Sequence, residues 1–386
     1  MTIEQEQLLS LVWCALHPEE GIPEVLKRGT IEWKKVLDEA EKQSLDGIAF
    51  VGFKRWLASG ASKENGSPID KRLYSGWLGK SESIREDNLR LNKRTAQVCG
   101  NFAKAGFRTS VMKGQGNALL YGQELMLMRS TGDIDVWVEG GFEKVYDYVT
   151  SVAPTNKVSE KEIVLHAFSD TEVEVHYRPY IMRNPFRNCR LQKYFAAQSD
   201  SCFTNIVQLP SINKEGEVVM VNATVTTVAF NLVHQLAHIH RHLFAVGVGL
   251  RHVMDYYYQL VQADNTLRQE EKDEVVRVIK SIGLERMACA LTWVLSEYLG
   301  LPKSCQLWEP NKEDGEFLLE EILSTGNFGH GDEILSSVNK KNNVKSLLYV
   351  LKHNWALSRF DRTDWFWGPI SRIYYSIWRK RKGFSI

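Results

Sequence analysis

The chain has 386 residues, 44% of them hydrophobic, enough to bury the core of two domains or one large one, which excludes a disordered protein. Its 48 basic residues against 47 acidic ones leave a net charge of +1, so nothing in the overall balance grips a phosphate backbone, and nucleic acid is not the expected partner. Six cysteines scattered without a CxxC pair exclude a zinc ribbon and a disulfide framework. An acidic N-terminus (Met1-Thr-Ile-Glu-Gln-Glu-Gln) and no run of about 18 apolar residues predict a soluble, cytoplasmic protein with no signal peptide and no transmembrane segment.

Apolar residues at three- and four-residue spacing predict helices over Ile3 to Leu16 and Ile31 to Trp56. Ser59 to Pro68, rich in Gly, Ser and Asn, reads as a loop, and a long helix follows from Ser83 to Ala105 with Gly106 as its C-cap. Phe107 to Met112 reads as a strand, Lys113-Gly-Gln-Gly as a turn and Asn117 to Tyr121 as the opening of a helix, an order that turns backbone N–H groups toward an anion. A strand from Asp133 to Val138, a helix from Phe142 to Val152 and strands at Ile163 to Phe168 and Glu172 to Tyr177 come next. Beyond Pro179 the pattern predicts a polar connection, short strands at Cys202 to Leu209 and Glu217 to Val221, and then helices: Thr226 to Leu243, Leu250 to Val261, Glu270 to Ile282, Glu285 to Leu299, Gly315 to Leu323 and a portion from Val344 to the end. The expected organisation is an N-terminal helical region (1–82), an α/β core (83–222) and a C-terminal helical region (223–386).

Chemistry concentrates between Val111 and Glu139. On a strand from Asp133, the side chains of Asp133, Asp135 and Trp137 share one face, and Ile134, Val136 and Val138 the other. Carboxylates that close repel unless a cation sits between them, and magnesium, held by carboxylates and substrate phosphates, fits such a pair. An edge strand with a solvated face is the other reading. Gly132 and Lys113-Gly114 supply the rest of a phosphate site. Without metal the repulsion predicts that Asn at either aspartate holds or raises stability. Glu172, Glu174 and His176 share a second acidic face, where Glu174, between two valines, is preferred over Glu172 at the turn. His176 reads either as a substrate or metal contact or as a histidine bonded to a carboxylate.

His234, His238 and His242 recur at i, i+4 and i+8, a spacing that binds zinc or simply lines a helix face; as cleft residues, His234 and His238 are candidate substrate contacts alongside Glu172 and His176. Arg251 and Asp255, four apart, read as a structural ion pair. The tail, with Trp365-Phe-Trp-Gly-Pro and Ile373, Tyr374, Ile377 and Trp378 among Arg372, Arg379, Lys380, Arg381 and Lys382, reads either as a packed terminal helix with a charged tip or as a peripheral contact for an anionic membrane or nucleic acid.

The Lys113-Gly114 turn, the Asp133-Ile-Asp135 strand and Val173-Glu174-Val175 together resemble the nucleotidyltransferase superfamily that includes DNA polymerase β. More narrowly, these motifs with Arg129 before Gly132, Val173-Glu-Val-His-Tyr-Arg-Pro and the later Leu232-Val-His-Gln-Leu-Ala-His resemble a bacterial family of uncharacterised nucleotidyltransferases, over roughly residues 30 to 265. The resemblance implies an α+β fold: a polymerase β-like core of small mixed sheet with helices, flanked by helical regions. It implies transfer of a nucleoside monophosphate from a nucleoside triphosphate to a hydroxyl acceptor on a small molecule, peptide or protein, with Mg2+ (or Mn2+) on Asp133, Asp135 and Glu174 and the nucleotide at Lys113, Gly114, Gln115, Arg129 and Gly132. Many superfamily members carry Gly-Ser where this chain has Gly114-Gln115, so a serine contact to the phosphates passes to Gln115 or Lys113. The alternative is a non-catalytic protein of the same fold, such as a toxin–antitoxin component. Polymerase-like action on a nucleic-acid end is the third reading, and the near-neutral charge weighs against it.

Overall fold

The structure, a computed structural model, describes residues 1–61, 67–327 and 355–384. Its first helix, Ile3–Leu16, begins at a reciprocal cap between Thr2 and Gln5. The segment expected as one helix from Ile31 to Trp56 is two, Trp33–Lys42 and Asp46–Ala58. Tertiary contacts make the break: Ser44 takes a φ of 54°, and the buried Gln43 side chain donates to the Ile322 carbonyl at 3.1 Å and accepts from the Leu250 N–H at 2.9 Å. The expected loop from Ser59 lies partly outside the described residues. The long helix starts at Lys71 rather than Ser83, because Asp70 caps it by accepting from the Arg72 and Leu73 amides. It ends at Lys104, with Gly106 at a φ of 81° just beyond.

Next come β1 (Thr109–Met112), a short helix at Gly114–Ala118, β2 (Ile134–Val138), a helix at Gly141–Val152, β3 (Glu162–Leu165) and β4 (Val173–His176). The four strands form a mixed sheet in the order β1-β2-β4-β3, in which β2 and β4 run parallel and both outer pairs antiparallel. One face is apolar: Val111, Ile134, Val136, Val138, Ile163, Val173 and Val175 are buried against Val98, Cys99 and Phe102 of the long helix and Val145 and Val149 of the helix after β2. Burying each such side chain contributes about 1.5–3 kcal/mol, which commits the polar residues between them to the opposite face.

A helix at Pro185–Thr204 occupies what reads as a polar connection, and it absorbs the first residues of the strand expected from Cys202. Its signal is local: Asn184 accepts from the Phe186 and Arg187 amides, and Pro185 occupies the first turn. The hairpin β5 (Ile206–Ile212) and β6 (Val218–Thr224) packs beside the long helix, where Asn92 donates to the Pro210 carbonyl at 2.7 Å. The Thr226 amide then bonds the Val111 carbonyl at 3.1 Å and seats the following helix, Val228–Ala245, at the end of β1. That helix, the helices Leu250–Thr266, Gln269–Ser281, Glu285–Leu299 and Lys312–Thr325, and the N-terminal helices share one core.

Of the C-terminal portion expected from Val344, the residues up to 354 lie outside the described ones. The helix Asp364–Arg381 docks on the sheet domain: Trp378 meets Phe142 edge-on at 5.5 Å, and Arg379 donates to the Val158 carbonyl at 2.7 Å. Its far side leaves Phe366, Ile370, Ile373, Tyr374 and Ile377 exposed. No helix among the described residues is long and apolar enough to cross a membrane.

Candidate functional site

In the parallel β2–β4 pair Asp135 lies opposite Glu174 and Trp137 opposite His176, so Asp135, Glu174 and His176 emerge together on the polar face. Lys113, directly after β1, holds φ 48° and ψ −140°, a left-handed conformation that costs a residue with a side chain about 1–3 kcal/mol. Its ammonium lies 2.6 Å from Asp135 Oδ1. His176 Nε2 lies 3.0 Å from the same oxygen, 3.3 Å from Glu174 Oε2 and 3.5 Å from Glu162 Oε2. His176 thus has the carboxylate partner that one of its two readings expects. The turn brings Gly114 beside the start of β2, where a Cβ would sit 3.7 Å from the Asp133 carbonyl oxygen.

Burial pushes the Asp135 carboxyl up, but the Lys113 charge and the His176 bond overcome it and hold it well below the carboxylate range. Burial likewise opposes the Lys113 ammonium, yet Asp135, Glu174 and Asp133 hold its pKa above the usual lysine value. His176 is lowered by burial and by Lys161, and raised more by Asp135 and Glu174, so it titrates above its ordinary value. One donor atom from each of Asp135, Glu174 and His176 lies within 4.8 Å of the others, and the Lys113 ammonium already stands among the acids as a cation would. Two carboxylates with a third beside them fit a hard divalent ion of the magnesium or manganese kind.

Asp133 does not belong to that trio. It precedes β2 at an exposed position, and its carboxyl is pushed up to about 6, first by the Asp135 charge and then by desolvation. The repulsion behind the expected gain for Asn therefore acts on Asp133, whereas Asp135 has the Lys113 ammonium and the His176 imidazole to compensate it. For Asp133→Asn in chelator we expect a gain of about 1 kcal/mol, small because the exposed carboxylate is screened, and a melting temperature higher by on the order of 2 °C. The gain appears as pH rises from about 4 to 6, where the unfolded chain releases this proton and the folded chain retains it. Equal melting curves for variant and wild type at pH 7.5 would rule out the repulsion.

Other expected residues fall elsewhere. Arg129, expected at the phosphates, is buried and bidentate on Asp255, with Nε–Oδ1 2.7 Å and Nη2–Oδ2 2.8 Å. The Tyr121 hydroxyl donates to the same carboxylate at 2.7 Å. Arg251 does not take Asp255 as its spacing predicts, and donates to the Ser130 and Thr131 carbonyls at 3.1 and 3.4 Å. Both arginines brace the loop that delivers Asp133. Gln115 is buried, Gly132 stands open at the surface, and Glu172 pairs outside the cleft with Lys157 at 2.7 Å. His234 is buried, with Nε2 3.3 Å from the Pro179 carbonyl and its ring stacked on Phe230, while His238 stands nearer His242.

Tyr121 and Glu162 are participants that the sequence did not single out, and Asp255, read there as the partner of Arg251, serves Arg129 instead. Glu162 faces His176 across the β3–β4 pair, and its signal is the alternation of a strand whose predicted start falls one residue late. Asp255 lies 126 residues from Arg129, with no local signal linking them.

No curated protein matches the chain. A crystal structure of an antigenic nucleotidyltransferase-like protein from Paracoccidioides brasiliensis aligns with 60% of this chain and 97% of its own at 11% identity, with a TM-score of 0.27, too low to carry an argument. The family model for uncharacterised nucleotidyltransferases matches residues 29–300, which contain the whole sheet, the Lys113 turn and every acid of the cleft. With Asp135, Glu174 and Lys113 gathered at one strand edge inside that span, the chain belongs to the uncharacterised nucleotidyltransferase family.

Proposed function

We propose that the protein transfers a nucleoside monophosphate from a nucleoside triphosphate to a hydroxyl acceptor in a polymerase β-like core (residues 83–222), with Mg2+ or Mn2+ as its cofactor. The observation that carries the reading is the junction of Asp135 and Glu174 on adjacent parallel strands around the Lys113 ammonium. Asp133, Asp135 and Glu174 would hold the divalent ion, which would supply charge neutralisation for the triphosphate. Lys113, whose ammonium lies 2.6 Å from Asp135, would then be the cation that meets the phosphate oxygens. The acceptor oxygen bonds to the α-phosphorus, the bond to pyrophosphate breaks, and the hydroxyl proton passes to Glu174, which the His176 bond keeps ionised against its burial. Gly114 and Gly132 border the nucleotide, and Gln115, being buried, reaches it only through its backbone.

Incubation of the protein with α-labelled triphosphates and Mg2+ tests the proposal. Labelling of a co-purified acceptor or of the chain itself, lost in Asp135→Asn, is expected. Metal-dependent nucleotide binding with no transfer across acceptor fractions would favour the non-catalytic reading. No binding at all would end both.

We further propose that the exposed strip of the C-terminal helix rests on an anionic lipid surface, since Lys380 and Arg381 stand at exposed positions beside its end. Ile373→Asp should weaken co-sedimentation with phosphatidylserine vesicles by roughly tenfold, the worth of one buried isoleucine. Unchanged sedimentation would remove the lipid contact.

A further inference from the structure

Outside the carboxylate cluster, imidazoles from separate helices converge. His238 and His242, one turn apart on Val228–Ala245, put their ring centroids 4.2 Å from each other, and His252, near the start of Leu250–Thr266, lies 5.5 Å from the first and 5.3 Å from the second. One nitrogen from each ring lies within 4.8 Å of the other two. His252 is only 5% exposed, and its Nδ1 has no hydrogen-bond partner among the described residues. A buried polar nitrogen left unsatisfied costs about 1–3 kcal/mol, so a packed fold retains one where something else fills the site.

We propose that His238, His242 and His252 form a second metal site, for zinc or a similar transition-metal dication, separate from the carboxylate cluster. The donor set is all imidazole, which suits zinc, copper, nickel and cobalt and not magnesium. Tetrahedral zinc with bonds of about 2.0–2.1 Å separates its ligand nitrogens by about 3.3 Å, so small ring rotations close the trio on an ion. Burial keeps all three rings well below the ordinary histidine range, in the neutral form that ligates metal. His238 and His242 are half-buried, and three protein ligands leave the fourth tetrahedral position to a further donor. The Arg251 guanidinium, fixed on the Ser130 and Thr131 carbonyls, and the Lys113 ammonium both act on this cluster. With these cations acting on it and no carboxylate in the trio, an anionic oxygen, as hydroxide or phosphate, is the fourth ligand the site favours.

The full-length protein, stripped with chelator and titrated with Co2+, tests the site. Wild type and Asp135→Asn should both develop the intense visible band of tetrahedral cobalt at one equivalent, and His252→Ala should lose it. After dialysis against zinc, elemental analysis should follow the same order, and excess zinc should raise the melting temperature of the first two proteins by a few degrees and leave His252→Ala unmoved. If His252→Ala does not fold, His238→Gln, altered at a half-buried ring, takes its place. A band retained in the histidine variant, or lost in Asp135→Asn, overturns the assignment, as does a wild type that binds no cobalt. Zinc binding with no nucleotidyl transfer would leave this site standing and remove only the proposed reaction.

Discussion

Asp135→Asn should lower nucleotidyl transfer by on the order of 1000-fold or more and also destabilise the metal-free protein by about 3 kcal/mol. The two effects share a cause. Asp135 is 4% exposed and bears both the Lys113 ammonium at 2.6 Å and His176 Nε2 at 3.0 Å, so an amide there leaves a buried cation without its counter-ion. Burial enlarges the penalty, because His176 is 1% exposed and the Lys113 side chain 15%, so water replaces the lost partner poorly. The sign with pH is fixed. A carboxylate whose folded pKa lies below its ordinary 3.8 contributes stability that is present above that value and lost as pH falls through the folded one. His176, raised above 6.5, contributes stability that is full below that value and lost as pH rises through its folded one. The wild-type advantage over Asp135→Asn should therefore be widest from about pH 4 to 6.5 and narrow toward both acid and alkali. Denaturant melts at pH 3, 5.5 and 9 measure it, and an Asn variant as stable as wild type at pH 5.5 would show that the Lys113–Asp135 pair does not exist in solution.

Asp255→Ala should be the most destabilising single change at a distance from the cleft, at about 3–5 kcal/mol, with a melting temperature lower by roughly 5–10 °C. It strips the bidentate partner from a guanidinium that is 6% exposed and removes the acceptor of the Tyr121 hydroxyl. Replacing the pair together, as Arg129→Met with Asp255→Leu, should recover much of the loss, because no uncompensated charge then remains inside. A double variant no better than Asp255→Ala would mean that the hydrogen bonds of the pair, and not the buried charge, dominate. Transfer should still fall in the repaired protein: the Arg129 Nη1 bond to the Ser130 carbonyl, at 3.3 Å, is one of the braces on the loop that ends in Asp133.

By itself the sequence determined the elements whose pattern has a fixed local period. The alternation of Ile134, Val136 and Val138 with Asp135 and Trp137 marks β2 and its faces, because a strand turns successive side chains to opposite sides and only one side joins the apolar core of the sheet. Helix spans such as Ile3–Leu16 and Glu285–Leu299 stand where the apolar spacing puts them, for the same local reason at a period of 3.6. The parallel register puts Glu174 opposite Asp135, while Glu172 turns to Lys157. Tertiary structure decided what joins residues far apart. Asp255 serves Arg129 and not Arg251, four residues away on its own helix, because a buried guanidinium 126 residues distant needs a counter-ion more than one that reaches backbone carbonyls. His252 meets His238 and His242 only because two successive helices pack with those faces together. The helix break at Ser44 arises from a glutamine bonded to helices that come more than 200 residues later. Local periods follow from backbone geometry and are written in any short window of the chain. The partners of buried polar groups are set by which faces pack, and no single window contains both.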